Sequence, residues 1–409
     1  ATLTFRAPDR VDAAVDVTFD MLYRVAPEKK VTATVRVIKG IEAEVTIDGV
    51  YPNGKNYIAW SPTRAHIRIR EAAGATGPVA IRLENRTPAS GGQVIFYENY
   101  TPGARGTDTL ALNVNADGTT LDFHIAGKFG SPSQSEDDAV IQVVATATGA
   151  VIARKTLMIR IRKNAESMTD AERERFVAAY ARANAQNDAV FSYGAFRDIH
   201  RDAGSAEAHG NMGFLPWHRA YVLDLEREIQ KHDPSVTMPY WRFDEPAPKL
   251  FHPNFLGVPF AADNPMAGWT TEGFTGVDRT AEFNTATEPA HGTPPGDDPV
   301  ISEAATLALG DGGKRFASFT QMEGNPHGAA HVSFTGFIDT IDTAVRDPLF
   351  FLLHCNVDRL WAKWQLPPNP RINVDAADPG ERDATFPTAP TRIGHNRNDT
   401  MWPWNGVTG

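Results

Sequence analysis

Residues 200–218 read HRDAGSAEAHGNMGFLPWH, and residues 327–354 open on HGAAH and close on DPLFFLLH. These two stretches hold six of the chain's 12 histidines: His200, His209 and His218 nine apart, His327 and His331 four apart, and His354. Nine residues carry a helix through about two and a half turns, so the first three cannot share one helix face and must converge from separate segments. His200 is expected at the end of a helix over 193–201, and His209 in the glycine-containing link 203–213. His218 falls just after Pro216, in the first turn of a helix running to 231. His327 and His331 stand at i and i+4, on one face of a short helix over 327–332 begun by Pro326. Asp347 and Pro348 supply the cap and first position of a helix over 348–365 that carries His354.

Working outward, Thr169 and Glu172 form a capping-box pair ahead of a further helical stretch to about 182. The earlier half has a different period. Apolar and polar residues alternate over 31–38, 66–70, 93–97 and 156–162, as in half-buried strands. Asp117-Gly118 lies between 110–114 and 119–125 and predicts a hairpin there. At 409 residues the chain exceeds the roughly 250 to 300 at which one core stops growing. The expected architecture is therefore α+β in two domains: a β-rich accessory domain, 1–163, built as an antiparallel sandwich or small barrel, and a mainly helical domain, 164–409. The glycine- and proline-rich stretch 246–313 is expected to be a long functional loop. No internal repeat is evident.

Composition narrows the function. Fifty acidic against 40 basic residues give a formal charge of −10 without a basic cluster, which argues against nucleic acid as a partner. No apolar run approaches the roughly 18 residues of a membrane span, so no membrane role is expected. Cys355 is the only cysteine, which excludes an internal disulfide and Cys-rich metal sites. No signal-like segment opens the chain at Ala1, but a processed start would read the same, so the compartment stays open.

Any metal must then be held by His, Asp or Glu, and imidazole suits copper, zinc, iron and nickel alike. A zincin would carry Glu after the first histidine of the HxxxH pair, where Gly328 stands. A non-haem iron site would add a carboxylate to two histidines. His66, His124, His232, His252, His291 and His395 match no motif and read as surface or core residues.

The residues flanking the six histidines resemble the type-3 copper proteins, that is, tyrosinases, catechol oxidases (polyphenol oxidases) and hemocyanins. Phe214-Leu215-Pro216-Trp217-His218-Arg219 with Glu226 is similar to the family's third copper A region. Asp347-Pro348-Leu349-Phe350 with His354, Asn356, Asp358, Arg359 and Trp361 is similar to its third copper B region. The likeness runs from about 164 to 404 and includes Asp399-Thr400-Met401-Trp402-Pro403-Trp404. It implies a tyrosinase-like four-helix-bundle domain holding two copper ions, one on His200, His209 and His218 and the other on His327, His331 and His354. Leu353 stands where many members carry an extra histidine. The absence of a cysteine before His209, where Glu207 and Ala208 stand, is a bacterial-type trait.

The implied chemistry is oxidation of o-diphenols by O2 to o-quinones, with hydroxylation of monophenols. Phenols titrate near 10, so hydroxylation calls for a base. Glu323 matches the glutamate that holds a water for this purpose in plant-like members. Gly328 stands where strong monophenol hydroxylases often have Asn, and Ile341 aligns with the gatekeeper over copper B. Asp358, Asn356 and Glu226 are candidates to orient ligand rings, Asp358 with Arg359 reading equally as an ion pair. Cys355 reads as a small buried helix residue. Alternative readings are a hemocyanin-like O2 carrier and a pathway-dedicated oxidase of a tethered or peptide-bound phenol. The expected partners are a small phenol and O2; a copper chaperone is a candidate, and the oligomeric state is open. The strand-rich half carries no catalytic motif; its loop 96–100 is a candidate shield over the copper site.

Overall fold

The computed structural model describes residues 15–23, 26–37, 40–86, 91–101, 104–203, 208–210, 213–292, 299–309, 316–365 and 401–404. The chain divides into two compact units, Ala1–Ile161 and Arg162–Gly409. Asp399, Thr400 and His395 lie outside the described residues.

The first unit is strand-built. It holds β1 (Val15–Tyr23), β2 (Ala26–Val37), β3 (Glu42–Ile47), β4 (Tyr57–Ile58), β5 (Thr63–Glu71), β6 (Val79–Asn85), β7 (Val94–Tyr97), β8 (Thr109–Val114), β9 (Leu121–Gly127), β10 (Ala139–Ala145) and β11 (Val151–Ile159). One sheet runs β4-β11-β10-β6-β8, a second β3-β5-β9-β7, and β1 pairs with β2 alone. Pairing is antiparallel except where β4 lies parallel to β11. Alternation decides which side each residue takes. Val79, Ile81 and Leu83 of β6 face inward opposite Val114, Leu112 and Leu110 of β8. In the other sheet Ala65 of β5 pairs with Phe123 of β9, and Val45 of β3 with Ile67 of β5. The inward residues of both sheets form one apolar core.

One expected hairpin is not formed. β8 pairs with β6 and β9 with β5 and β7, so the strands on either side of Asp117-Gly118 belong to different sheets. The turn itself exists, with Gly118 at φ +84° and the Asp117 carboxylate accepting the Thr119 N–H at 2.8 Å. A two-residue loop would have forced β8 and β9 side by side, but six residues, 115–120, separate them and give the chain room to change sheets.

The second unit carries α1 (Asp170–Ala185), α2 (Tyr193–Ala203), α3 (Phe214–His232), α4 (Glu303–Leu307), α5 (Phe316–Phe319), α6 (Ala329–Val332), α7 (Ile341–Ala344) and α8 (Leu349–Gln365). The α1 capping box forms as expected: the Thr169 side chain accepts the Glu172 N–H while Glu172 accepts that of Thr169. Stretch 246–313 is not all loop, since it holds two short strand pieces that pair, Thr270–Thr271 with Phe274–Thr275, and a third, Arg279–Ala281, that pairs with Phe334–Gly336. Aromatic residues dominate the core: Trp217, Trp241, Trp269, Tyr180, Tyr221 and Phe176 are all fully buried. No described helix is long and apolar enough to cross a membrane.

On the first unit's surface, His66 of β5 bonds Asp122 through Nδ1 at 2.7 Å and Asp48 through Nε2 at 2.9 Å. These hydrogen bonds, Asp122 first, raise its pKa. A raised folded pKa stabilises below the unfolded value near 6.5, and the gain is lost as pH rises through the folded value. His66→Gln should lower the unfolding free energy at pH 6, measured by denaturant titration, by under about 1 kcal/mol, as for exposed pairs, and by less at pH 9. An equal loss at both pH values would rule out the charge effect.

Candidate metal centre

Each triad is assembled from three chain segments. α2 presents His200, residues 208–210 present His209, and α3 presents His218. Their ring centroids lie 4.8, 5.4 and 5.0 Å apart. In the second triad His331 sits on α6 and His354 on α8. His327 lies in a wide turn, Gly324–Gly328, whose backbone is helical from Pro326 onward and runs on into α6, as the short helix expected from Pro326 requires. Asn325, at φ −142° and ψ +121°, is extended just ahead of that path, as the residue before a proline tends to be. The ring centroids of this set lie 4.7, 4.8 and 5.6 Å apart. Within each triad one ligand atom from each residue lies within 4.8 Å of the others. The triads meet where His218 stacks on His354, centroids 4.0 Å apart and planes 9° from parallel.

Two phenylalanines wall the six rings. Phe350 lies 4.2 Å from His354 and 4.8 Å from His200, and Phe214 lies 4.7 Å from His327 and 4.9 Å from His218. Of these six histidines all except the half-buried His209 are buried. Burial is the first cause that drives the pKa of His200, His218, His327 and His354 well below the ordinary value, and neighbouring imidazoles add to it. It pushes His331 down to about 4. These five rings are therefore held toward the neutral form that metal coordination requires.

Backbone carbonyls fix the tautomers of three rings. Nδ1 of His218 donates to Phe214 O at 2.9 Å, that of His327 to Glu323 O at 2.8 Å, and that of His331 to Ile338 O at 2.7 Å. Each Nε2 is left as a lone-pair donor. Nε2 of His218, both ring nitrogens of His200 and Nδ1 of His354 are buried without a hydrogen-bond partner. A buried polar atom without a partner costs about 1 to 3 kcal/mol, and a bound metal removes that cost at ligand atoms. Two all-nitrogen triads side by side fit a pair of copper ions.

The comparisons agree with this donor set. Residues 190–366 match the family model described as the common central domain of tyrosinase. The chain is 32% identical over 277 residues to a tyrosinase of Streptomyces glaucescens, covering 61% of this chain and 93% of that one. It is 30% identical over 317 residues to grixazone synthase of Streptomyces griseus, covering 61% and 95%. Among solved structures it is similar to an aurone synthase (polyphenol oxidase), at 22% identity and a TM-score of 0.41, covering 53% of this chain and 74% of that one. The chain belongs to the tyrosinase family. It is a dicopper phenol oxidase of the tyrosinase and polyphenol oxidase kind.

The other residues named from the sequence take distinct places in this tyrosinase-family site. Oε1 of Glu323 accepts the Gly210 N–H at 2.7 Å, next to His209, and burial pushes its pKa up to about 7. Gly328 follows His327, and a Cβ there would stand 3.1 Å from the Glu323 carbonyl oxygen. Ile341 opens α7 with its side chain 49% exposed, and its carbonyl partly opposes the fall in the His200 pKa without meeting hydrogen-bond geometry. Cys355 is buried, its thiol pushed upward by burial, so it is a packing residue as expected.

Glu226, Asp358 and Asn356 do not orient the ligand rings through hydrogen bonds: carbonyls hold His218, His327 and His331, and Nδ1 of His354 has no partner. Glu226 and Asp358 bind Arg162 instead, and Asn356 accepts from Arg359. Nor does Asp358 pair with Arg359, which turns to Glu303 at 2.6 Å while Asp358 pairs with Arg162 and Arg219. Residues at adjacent helical positions point about 100° apart, so they serve different neighbours. The sequence reading missed the carbonyl acceptors, which leave no side-chain signal, and Arg162, which read as a strand end.

Loading with copper should raise the thermal unfolding midpoint, and a chelator should reverse the change. Each site adds about 2.7 kcal/mol at a free metal level of 100 Kd, read by calorimetry. An unchanged midpoint would sink the metal reading.

Proposed function

We propose that this oxidase converts small o-diphenols to o-quinones with O2 and hydroxylates monophenols more slowly. His200, His209 and His218 would hold one copper ion and His327, His331 and His354 the other. The observation that carries this is the paired triads: six converging imidazoles, at least three with Nδ1 pinned to a carbonyl, walled by Phe214 and Phe350. When bound, a copper pair would supply the two-electron redox chemistry by which two diphenols and one O2 give two quinones and two waters. Everything else falls to the chain. The carbonyls keep each Nε2 aimed inward, and the two phenylalanines exclude water from the rings.

Oxidation of a diphenol also releases two protons, and hydroxylation requires a phenol to lose one near neutral pH. Glu323 is the acceptor we assign. One carboxylate oxygen is fixed by the Gly210 N–H, and the other makes no hydrogen bond with any described residue and can hold a proton or a water. Gly328 favours the diphenol reaction in this reading, and Ile341 leaves room for bulky phenols. We also read the first unit as an antiparallel sandwich, α1, α2, α3 and α8 as a four-helix bundle, and 1–163 as an accessory domain.

The deciding experiment is metal analysis followed by paired assays on tyrosine and 4-tert-butylcatechol. Two coppers per chain with diphenol turnover is expected, and reversible O2 binding without turnover would replace the oxidase with a carrier. His327→Gln should lower the copper content from two per chain to about one. Glu323→Gln should keep both coppers and lower the monophenol-to-diphenol rate ratio by about 10²-fold or more, the usual loss for an acid–base group. An unchanged ratio would remove Glu323 from that role.

A further inference from the structure

Arg162 is the first residue of the second unit and stands far in sequence from every histidine of the site. Its guanidinium nonetheless reaches both helices that meet at the stacked pair His218 and His354. Nη2 donates to Glu226 of α3 at 2.8 Å and Nε to the same oxygen at 3.1 Å, while Nη1 donates to Asp358 of α8 at 2.8 Å. Asp358 lies one helical turn beyond His354, and Glu226 two turns beyond His218. The other Glu226 oxygen is held by Thr237 Oγ1 at 2.6 Å and the Met238 N–H at 2.8 Å, and the other Asp358 oxygen by Arg219, whose guanidinium lies 3.5 Å over the Trp361 ring. Neither carboxylate can swing away while these bonds stand.

We propose that Arg162 is a positioning residue whose forked guanidinium sets the separation of α3 and α8, and with it the spacing of the two metal triads. The inference rests on the dicopper reading. Arginine suits the task because its planar fork binds two carboxylates in fixed directions. Lysine keeps the charge but lacks the planar fork that holds two carboxylates at fixed angles. Apolar packing alone would allow α3 and α8 to slide by fractions of an ångström, whereas two charge-assisted bonds at fixed angles do not. Catalysis by a metal pair depends on that distance, since a displacement of about 1 Å in a catalytic array can cost 10²-fold.

The test compares the full-length wild type, Arg162→Lys and Asp358→Asn, each loaded with copper(II). Metal per chain, the fraction of copper visible by electron paramagnetic resonance, and kcat and KM on 4-tert-butylcatechol are measured. Two copper(II) ions close enough to couple give little signal, whereas ions held too far apart give a full one. The inference expects two coppers in all three proteins, a resonance-visible fraction several-fold higher in both variants, and kcat lower by about 10- to 100-fold with KM little changed. Wild-type levels of coupling and kcat in a folded Arg162→Lys protein would overturn it. So would failure of both variants to fold, which would make the network a stability element only. If the wild type itself binds no coupled pair, it is the dicopper reading that fails.

Discussion

Desolvation of the imidazoles is the constraint on which the rest of the second unit depends. Five of the six rings are buried, among neighbours that would repel a positive charge, so protonation is expelled from the cluster. A neutral imidazole has one donor and one acceptor nitrogen, and burying either without a partner is costly. The fold supplies carbonyls to three Nδ1 atoms and leaves the opposite nitrogens facing inward. Such a cluster is an unfavourable core but a favourable metal site, and its surroundings are organised to keep it in place.

The means are mostly apolar and aromatic. Phe214 and Phe350 sit on the same helices as His218 and His354, four residues before each, so each histidine comes with its own wall one turn away. The equal spacing gives α3 and α8 the same local device: an aromatic residue, then a ligand one turn on. Polar bracing is placed outside this layer. Arg279 and Asp347 form a fully buried pair at the start of α8, where Asp347 also accepts the Leu349 N–H at 2.8 Å. Glu303 of α4 binds Arg359 and Lys363 farther along the same helix. α8 is thus tied near its start, middle and end, as expected of a helix whose ligand must not drift.

Much of this was legible in the sequence because its signals are local. The histidine spacings, the Thr169–Glu172 capping box and the alternation over 66–70 in β5 and 93–97 at β7 each follow from the period of the element that carries them. What escaped depends on partners distant along the chain or on the backbone. Glu226 and Asp358 were marked as ring-orienting residues because coordination chemistry asks for acceptors. Only the folded chain shows that carbonyls serve three of the rings and that Arg162, 64 and 196 residues away, takes the carboxylates. The hairpin at Asp117-Gly118 failed for a related reason. Turn chemistry reports that the chain reverses, and it carries no information on which strand lies alongside.

Glu323 shows how closely acid–base chemistry and geometry are joined at this site. Its carboxylate holds the backbone beside His209 through Gly210, and its carbonyl holds Nδ1 of His327, so one residue positions a ligand in each triad. Gly210 lies at φ +69°, a conformation that other residues adopt at a cost of about 1 kcal/mol or more, so the segment that offers its N–H to Glu323 is itself narrowly specified. Gly328 gives the same carbonyl room, since any side chain there would begin 3.1 Å from it. Removal of the Glu323 side chain would therefore disturb His209 as well as abolish the base, and only a replacement that still accepts the Gly210 N–H separates the two effects. Glutamine does so, because its amide oxygen accepts that bond while its nitrogen cannot take a proton from a phenol.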